Sequence, residues 1–194
     1  MNDAAAFSPA LRRLHFLVAI LVTVQLVIGL TMGHDTPNLF LSHQLIGLGI
    51  AALVLLHWLW LFAGERGQLA HLLPFGGEAR RAVFADIAGL TRGRVPEGGP
   101  RAGLPALVHG LGLLALTAVA ALGTGIYVLI RLHLSRSELA ETLGDVHSFF
   151  AWVLIVYWCG HVLLAVLHEA RGDRVIGRMF RLGSGSPGAS SVRD

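Results

Sequence analysis

Residues 146–168 read VHSFFAWVLIVYWCGHVLLAVLH, a run of 23 residues with no Asp, Glu, Lys or Arg. A helix that crosses a bilayer needs about 20 consecutive apolar residues, so this run is long enough for one crossing and too short for two. Two histidines, His147 and His161, lie inside it fourteen residues apart. At ~100° and ~1.5 Å per residue they share one helix face within ~40° and stand ~21 Å apart along the axis. The run therefore reads as a membrane helix with two ionisable side chains stacked at two depths.

Residues 14–32, 38–63 and 102–130 are equally free of charge. Across the chain, charged residues make up 14% of the 194, against roughly 25% in soluble proteins, and the mean hydropathy is +0.66. These features predict an all-α, membrane-embedded four-helix bundle over residues 8–182. Its spans lie at about 11–33, 42–63, 103–131 and 146–168, with a connecting loop at 64–102. The Gly- and Ser-rich residues 183–194 read as a flexible tail. Arg12 and Arg13 before the first apolar run resemble a signal peptide's start. The run lacks a small-x-small cleavage site and exceeds the usual ~7–15 residues, so it reads as a retained helix. Ser8 is its expected N-cap and Pro9 its first helical residue.

All 15 basic residues are arginine, and they are unevenly distributed. The N-terminal flank has Arg12 and Arg13; the long loop has Arg66, Arg80, Arg81, Arg92, Arg94 and Arg101; the tail has Arg171, Arg174, Arg178, Arg181 and Arg193. The other side has only Arg131 and Arg136, with Asp35, Glu138, Glu141 and Asp145. The excess of arginine puts both termini of this multi-pass membrane protein in the cytoplasm. Membrane lipid head groups account for the arginines, and no nucleic-acid partner is implied. Cys159, the single cysteine, cannot form an intrachain disulfide, and no C-x-x-C-H motif is present to attach haem covalently. Within the loop, residues 79–90 set Val83, Phe84, Ile87 and Leu90 on one helical face beside Arg80 and Arg81, as in a helix lying on the cytoplasmic leaflet. Residues 95–105 read as a Pro/Gly turn into the third span. Trp58, Trp60, Trp152 and Trp158 read as lipid- and bundle-facing bulk.

Of ten histidines, His15, His43, His57, His109, His147 and His161 fall in or at the edges of the spans. Ionisable groups in hydrocarbon are costly and are functional candidates by default. A single one is equally well explained as a hydrogen bond between helices; a patterned set is not. His43 and His57 repeat on the second span the fourteen-residue spacing of the fourth. Two ligand levels, one per leaflet, suit a pair of stacked haems, each taking one imidazole from either side. Zinc fits less well, because its ligands would have to converge at one depth. Gly29, Gly33, Gly47, Gly49, Gly123 and Gly125 permit close approach of a ring or a neighbouring helix and indicate no more than that.

The ordered set resembles the prokaryotic cytochrome b561 family, which includes the cytochrome b subunits of membrane-bound hydrogenases. Arg13-Leu14-His15-Phe16 resembles the opening of its first helix, and His43-Gln44-Leu45-Ile46-Gly47 its His-x-x-x-Gly entry to the second. His109 stands fourteen residues before Gly123, and His147 and His161 keep the family's interval, followed by His168, Asp173 and Arg178-Met179. The likeness covers nearly all of residues 10–181. It implies two b haems with His15, His43, His147 and His161 as axial ligands. With the orientation above, His43 and His147 would hold the outer haem, and His15 and His161 the inner one. His57 stands where the family usually has an arginine. By depth alone it pairs with His161 as well as His15 does; sequence surroundings favour His15 and leave His57 to a propionate or a neighbouring helix. Arg12, Arg13 and Arg66 are available to inner propionates and Arg131 or Arg136 to outer ones. For His109, a hydrogen bond between helices is favoured over a quinone contact.

The resemblance implies an electron carrier between a redox partner or donor, either a peripheral redox subunit or a soluble cytochrome, and the membrane quinone pool, ubiquinone or another quinone. Some relatives are stand-alone superoxide:ubiquinone oxidoreductases. The acidic outer loops weigh against that reading, since a negative field repels an anionic substrate. A haem-free histidine-containing membrane transporter ranks below both, because the sequence has neither broken spans nor inverted repeats.

Overall fold

Proline opens three of the helices. Pro9 and Pro37 are the first residues of α1 (Pro9–Thr31) and α2 (Pro37–Ala63), and Pro105 is the second residue of α4 (Leu104–Arg131). At these positions the missing N–H has no intrahelical partner to lose, and the fixed φ is already helical. The computed structural model describes residues 9–33, 35–63, 76–93, 103–172 and 177. Within them, α3 (Gly77–Leu90) and α5 (Glu138–Ala170) complete the set, and the described residues form no strand. The chain is all-helical, and α1, α2, α4 and α5 are long and apolar enough to cross a membrane. The expected Ser8 cap, most of the expected 95–105 turn and the 183–194 tail lie outside the described residues.

The fourth span is longer than its uncharged run, because α5 begins at Glu138 instead of near Val146. The Ser137 side chain accepts from the Ala140 N–H at 3.2 Å, and Glu138 and Glu141 occupy the first turn. A hydroxyl cap and acidic residues at the positive end of the dipole both favour helix there. Hydropathy registers the apolar layer and misses this charged extension.

Close backbone packing among the described residues runs α1 to α2 to α4 to α5, with α3 against α4. Helix α5 is not packed in that way on α1 or α2, so one side of the bundle is wider and is bridged by side chains. At mid-bundle, Val22, Ile50, Val54, Leu116 and Leu154 form a buried cluster drawn from all four spans. Two indoles tie this level together: Trp58 Nε1 donates to Thr117 Oγ1 at 3.0 Å, and Trp158 Nε1 donates to Thr23 Oγ1 at 3.2 Å. Each threonine hydroxyl donates in turn to its own helix, Thr117 to the Leu113 carbonyl at 2.6 Å and Thr23 to that of Ala19 at 2.7 Å. In a medium without water such chains satisfy groups that would otherwise cost several kcal/mol. The other two tryptophans, Trp60 and Trp152, face outward with Leu55, Phe62, Phe149 and Val156, the last 71% exposed. Apolar surface this extensive suits lipid, where its exposure carries no penalty.

The amphipathic α3 divides its apolar residues. Val83 is buried, whereas Phe84 is 70% exposed and Ile87 and Leu90 also lie open. Adjacent helical residues point ~100° apart, so Val83 and Phe84 cannot both face α4. Asp86 Oδ2 accepts from the Leu104 N–H at 2.9 Å. The α4 N-cap is Gly103, with φ 124 and no side chain to cap with, so α3 provides the cap from outside the helix.

Candidate functional site

The span histidines gather at the two ends of the bundle. At one end, where α1 leads to α2 and α4 turns into α5, the rings of His43 (α2) and His147 (α5) have centroids 6.3 Å apart and planes at 83°. A glycine on an adjacent helix flanks each ring. A Cβ on Gly29 (α1) would lie 3.4 Å from His43 Cε1, and one on Gly123 (α4) 3.1 Å from His147 Cε1. His43 Nδ1 and His147 Nδ1 are buried and have no hydrogen-bond partner among the described residues.

The His-x-x-x-Gly interval of α2 acquires a physical reason at this end. Gln25 Nε2 on α1 donates to the His43 carbonyl at 2.8 Å. A Cβ on Gly47, one turn after His43, would stand 3.1 Å from that amide nitrogen. The missing side chain lets the amide reach the backbone of α2, and the bond fixes the register of α1 against the helix that carries His43.

At the opposite end, where α3 lies against the start of α4, three imidazoles from three helices meet. His15 (α1) is 6.3 Å from His161 (α5) and 6.4 Å from His109 (α4), and His109 is 5.4 Å from His161, centroid to centroid. Tyr157, one turn before His161, stacks on it at 5.6 Å with planes 16° apart. The tyrosine ring occupies the notch at Gly112 on α4, where any side chain would overlap it. His109 Nδ1 lies 2.7 Å from the Pro105 carbonyl. A carbonyl only accepts, so Nδ1 is the donor, and in the neutral imidazole the lone pair is on Nε2. This bond lies within α4, in place of the expected bond between helices. His57 is half-buried on α2 and takes no part in the ring contacts that join His15, His109 and His161.

The four histidines expected as axial ligands therefore lie in two end clusters, His43 beside His147 and His15 beside both His161 and His109. The sequence did not reveal Tyr157 and Gly112. Tyr157 could have been found from its four-residue interval to His161, but nothing in the sequence indicates that Gly112 faces it. Arg12 is half-buried one turn before His15, Arg13 is exposed, and Arg131 and Arg136 are exposed at the other end. Arg66 lies outside the described residues.

Two imidazoles bound trans to one metal through bonds of about 2 Å have ring centres about 6.2 Å apart. The 6.3 Å separations of His43–His147 and His15–His161 fit that span. Three imidazoles around one tetrahedral ion would draw together to about 5 Å, and two sides of the His15–His109–His161 triangle exceed this by more than 1 Å. No group of three or more His, Cys, Asp or Glu among the described residues could hold a single metal ion. Both pairs bridge the wider side of the bundle, between α5 and the α1–α2 layer. The residues present thus suit a flat group ligated from both faces. In comparison with known proteins, a family model described as prokaryotic cytochrome b561 matches residues 6–182. No curated protein and no solved structure matches the chain.

Proposed function

Because the chain belongs to the prokaryotic cytochrome b561 family, a family of haem b-binding membrane cytochromes, we propose that it is a transmembrane di-haem cytochrome that carries electrons between a redox partner or donor and the membrane quinone pool. The observation that carries this reading is the pair of 6.3 Å histidine couples at opposite ends of the bundle. Bound haem b supplies reversible one-electron oxidation and reduction of iron. His43 and His147 would hold one haem at the turn end, and His15 and His161 another at the α3 end. Two imidazoles at each haem would leave no place on the metal for oxygen or substrate. The cluster of Val22, Ile50, Val54, Leu116 and Leu154 keeps water out of the layer between the two sites. Arg12 near one site and Arg131 and Arg136 near the other offer positive charge to propionate carboxylates. The α3 end, rich in arginine, faces the cytoplasm.

The membrane quinone is one electron partner, and a peripheral redox subunit or soluble cytochrome is the other. The carboxylates Asp35, Glu138, Glu141 and Asp145 at the turn end disfavour superoxide as a substrate. The four spans are unbroken helices, unlike the discontinuous helices around which many transporters build their sites.

The reading is tested on protein purified in detergent, by a dithionite-reduced minus oxidised spectrum with pyridine haemochrome quantitation. The expected result is sharp b-type bands with about two haems per chain, reducible by a quinol. His15→Ala loses one of the two and His57→Ala loses none. Folded protein without haem from haem-replete cells would end the proposal.

A further inference from the structure

At the α3 end three imidazoles stand where a trans pair needs two. His15 is the apex of the triangle, 6.3 Å from His161 and 6.4 Å from His109, while those two are 5.4 Å apart. The two longer separations both match the roughly 6.2 Å span of trans imidazoles on one metal, and the short side does not. Helices α4 and α5 pack closely together, so His109 and His161 approach from the same side of the bundle, facing His15 on α1.

His109 is also oriented by a hydrogen bond to its far ring nitrogen. Its Nδ1–H is given to the Pro105 carbonyl at 2.7 Å, so Nε2 is the ring nitrogen left for a metal. A backbone carbonyl on the far ring nitrogen is the usual way in which a metal-binding histidine is oriented and made more basic. His161 is oriented differently, by Tyr157 stacked on its face in the Gly112 notch. Two imidazoles on neighbouring helices are thus held ready on the same side, and each is at bonding span from the same third ring.

Building on the haem reading above, we infer that His109 is an exchangeable axial ligand of the α3-end haem, able to replace His161 opposite His15. In the exchange His161 gives up its Nε2–metal bond and His109 makes one. One imidazole takes the place of another, so the exchange needs no oxidant or reductant. The turn end has no such reserve, since the ring contact there joins only His43 and His147 among the described residues.

The test compares wild type, His161→Ala and the double variant His161→Ala/His109→Ala, each purified with its native haem. Haem per chain is read by pyridine haemochrome and the spin state of the ferric iron by electron paramagnetic resonance. The turn-end haem serves in every variant as an internal measure of folding. The expected result is about two low-spin haems per chain in wild type and in His161→Ala, and about one in the double variant. If His161→Ala alone loses the α3-end haem or turns it high-spin, His109 does not replace His161. A double variant that keeps two low-spin haems overturns the inference equally, because some other group then fills the position. Wild type without haem overturns the functional reading itself and this inference with it, an outcome distinct from the other two.

Discussion

The two ends of the bundle solve the same problem with different margins. At the turn end, two histidines face each other with one glycine behind each ring, and a Gln25 amide locks the register of the helix that carries His43. At the α3 end, three histidines and a tyrosine form one ring cluster. The turn end is fitted by the absence of side chains, the α3 end by a surplus of them. A site without a spare ring tolerates no loss of a ligand. A site with a surplus ring survives some losses and depends on whatever orients the rings.

The sharpest way to break this comparison is to remove one of the two proposed ligands at the turn end. His147→Ala should abolish the turn-end haem, halving the reduced b-band absorbance, because among the described residues no third imidazole joins the His43–His147 contact. Retention of both haems in that variant would show that the ends are equivalent after all. Next in size is Gly112→Ala, whose new methyl must displace Tyr157 from its stack on His161. Overpacking of this kind costs about 1–3 kcal/mol, expected as a lower thermal midpoint in detergent and easier loss of the α3-end haem. The turn-end haem should be unaffected.

Gly123→Ala tests the tighter of the two turn-end glycines. Its Cβ would meet His147 Cε1 at 3.1 Å, against 3.4 Å for Gly29→Ala at His43. An effect of roughly 1 kcal/mol is expected at Gly123 and a smaller one at Gly29, both read as weaker haem retention at the turn end in a thermal release assay. An equal effect at the two positions would mean that the histidine rings yield easily. The smallest change is Gln25→Leu, which removes the bond to the His43 carbonyl and should cost about 1 kcal/mol, seen as a modest fall in thermal midpoint without loss of either haem.

The membrane helices were legible because their signal is local. Absence of charge over 20 or more residues needs no knowledge of neighbours, and the interval from His147 to His161 converts directly into depth and face. Boundaries read from hydropathy alone failed where another force sets them: α5 starts at Glu138 because Ser137 caps it and two glutamates suit its dipole. The apolar face of α3 was read as one surface, yet docking on α4 buries Val83 and leaves Phe84 outside. The tryptophans were read as bulk, yet Trp58 and Trp158 are the donors that join helices at mid-bundle.

The sequence by itself determined four spans, the membrane setting and the histidines at two depths, because lipid imposes the same demand on every segment separately. Tertiary structure alone decided which helix faces which, and so brought His109 beside His161, set Tyr157 into the Gly112 notch and kept His57 outside the ring cluster. Those contacts join residues from different helices, and their distances depend on how the bundle packs, information that no single span contains.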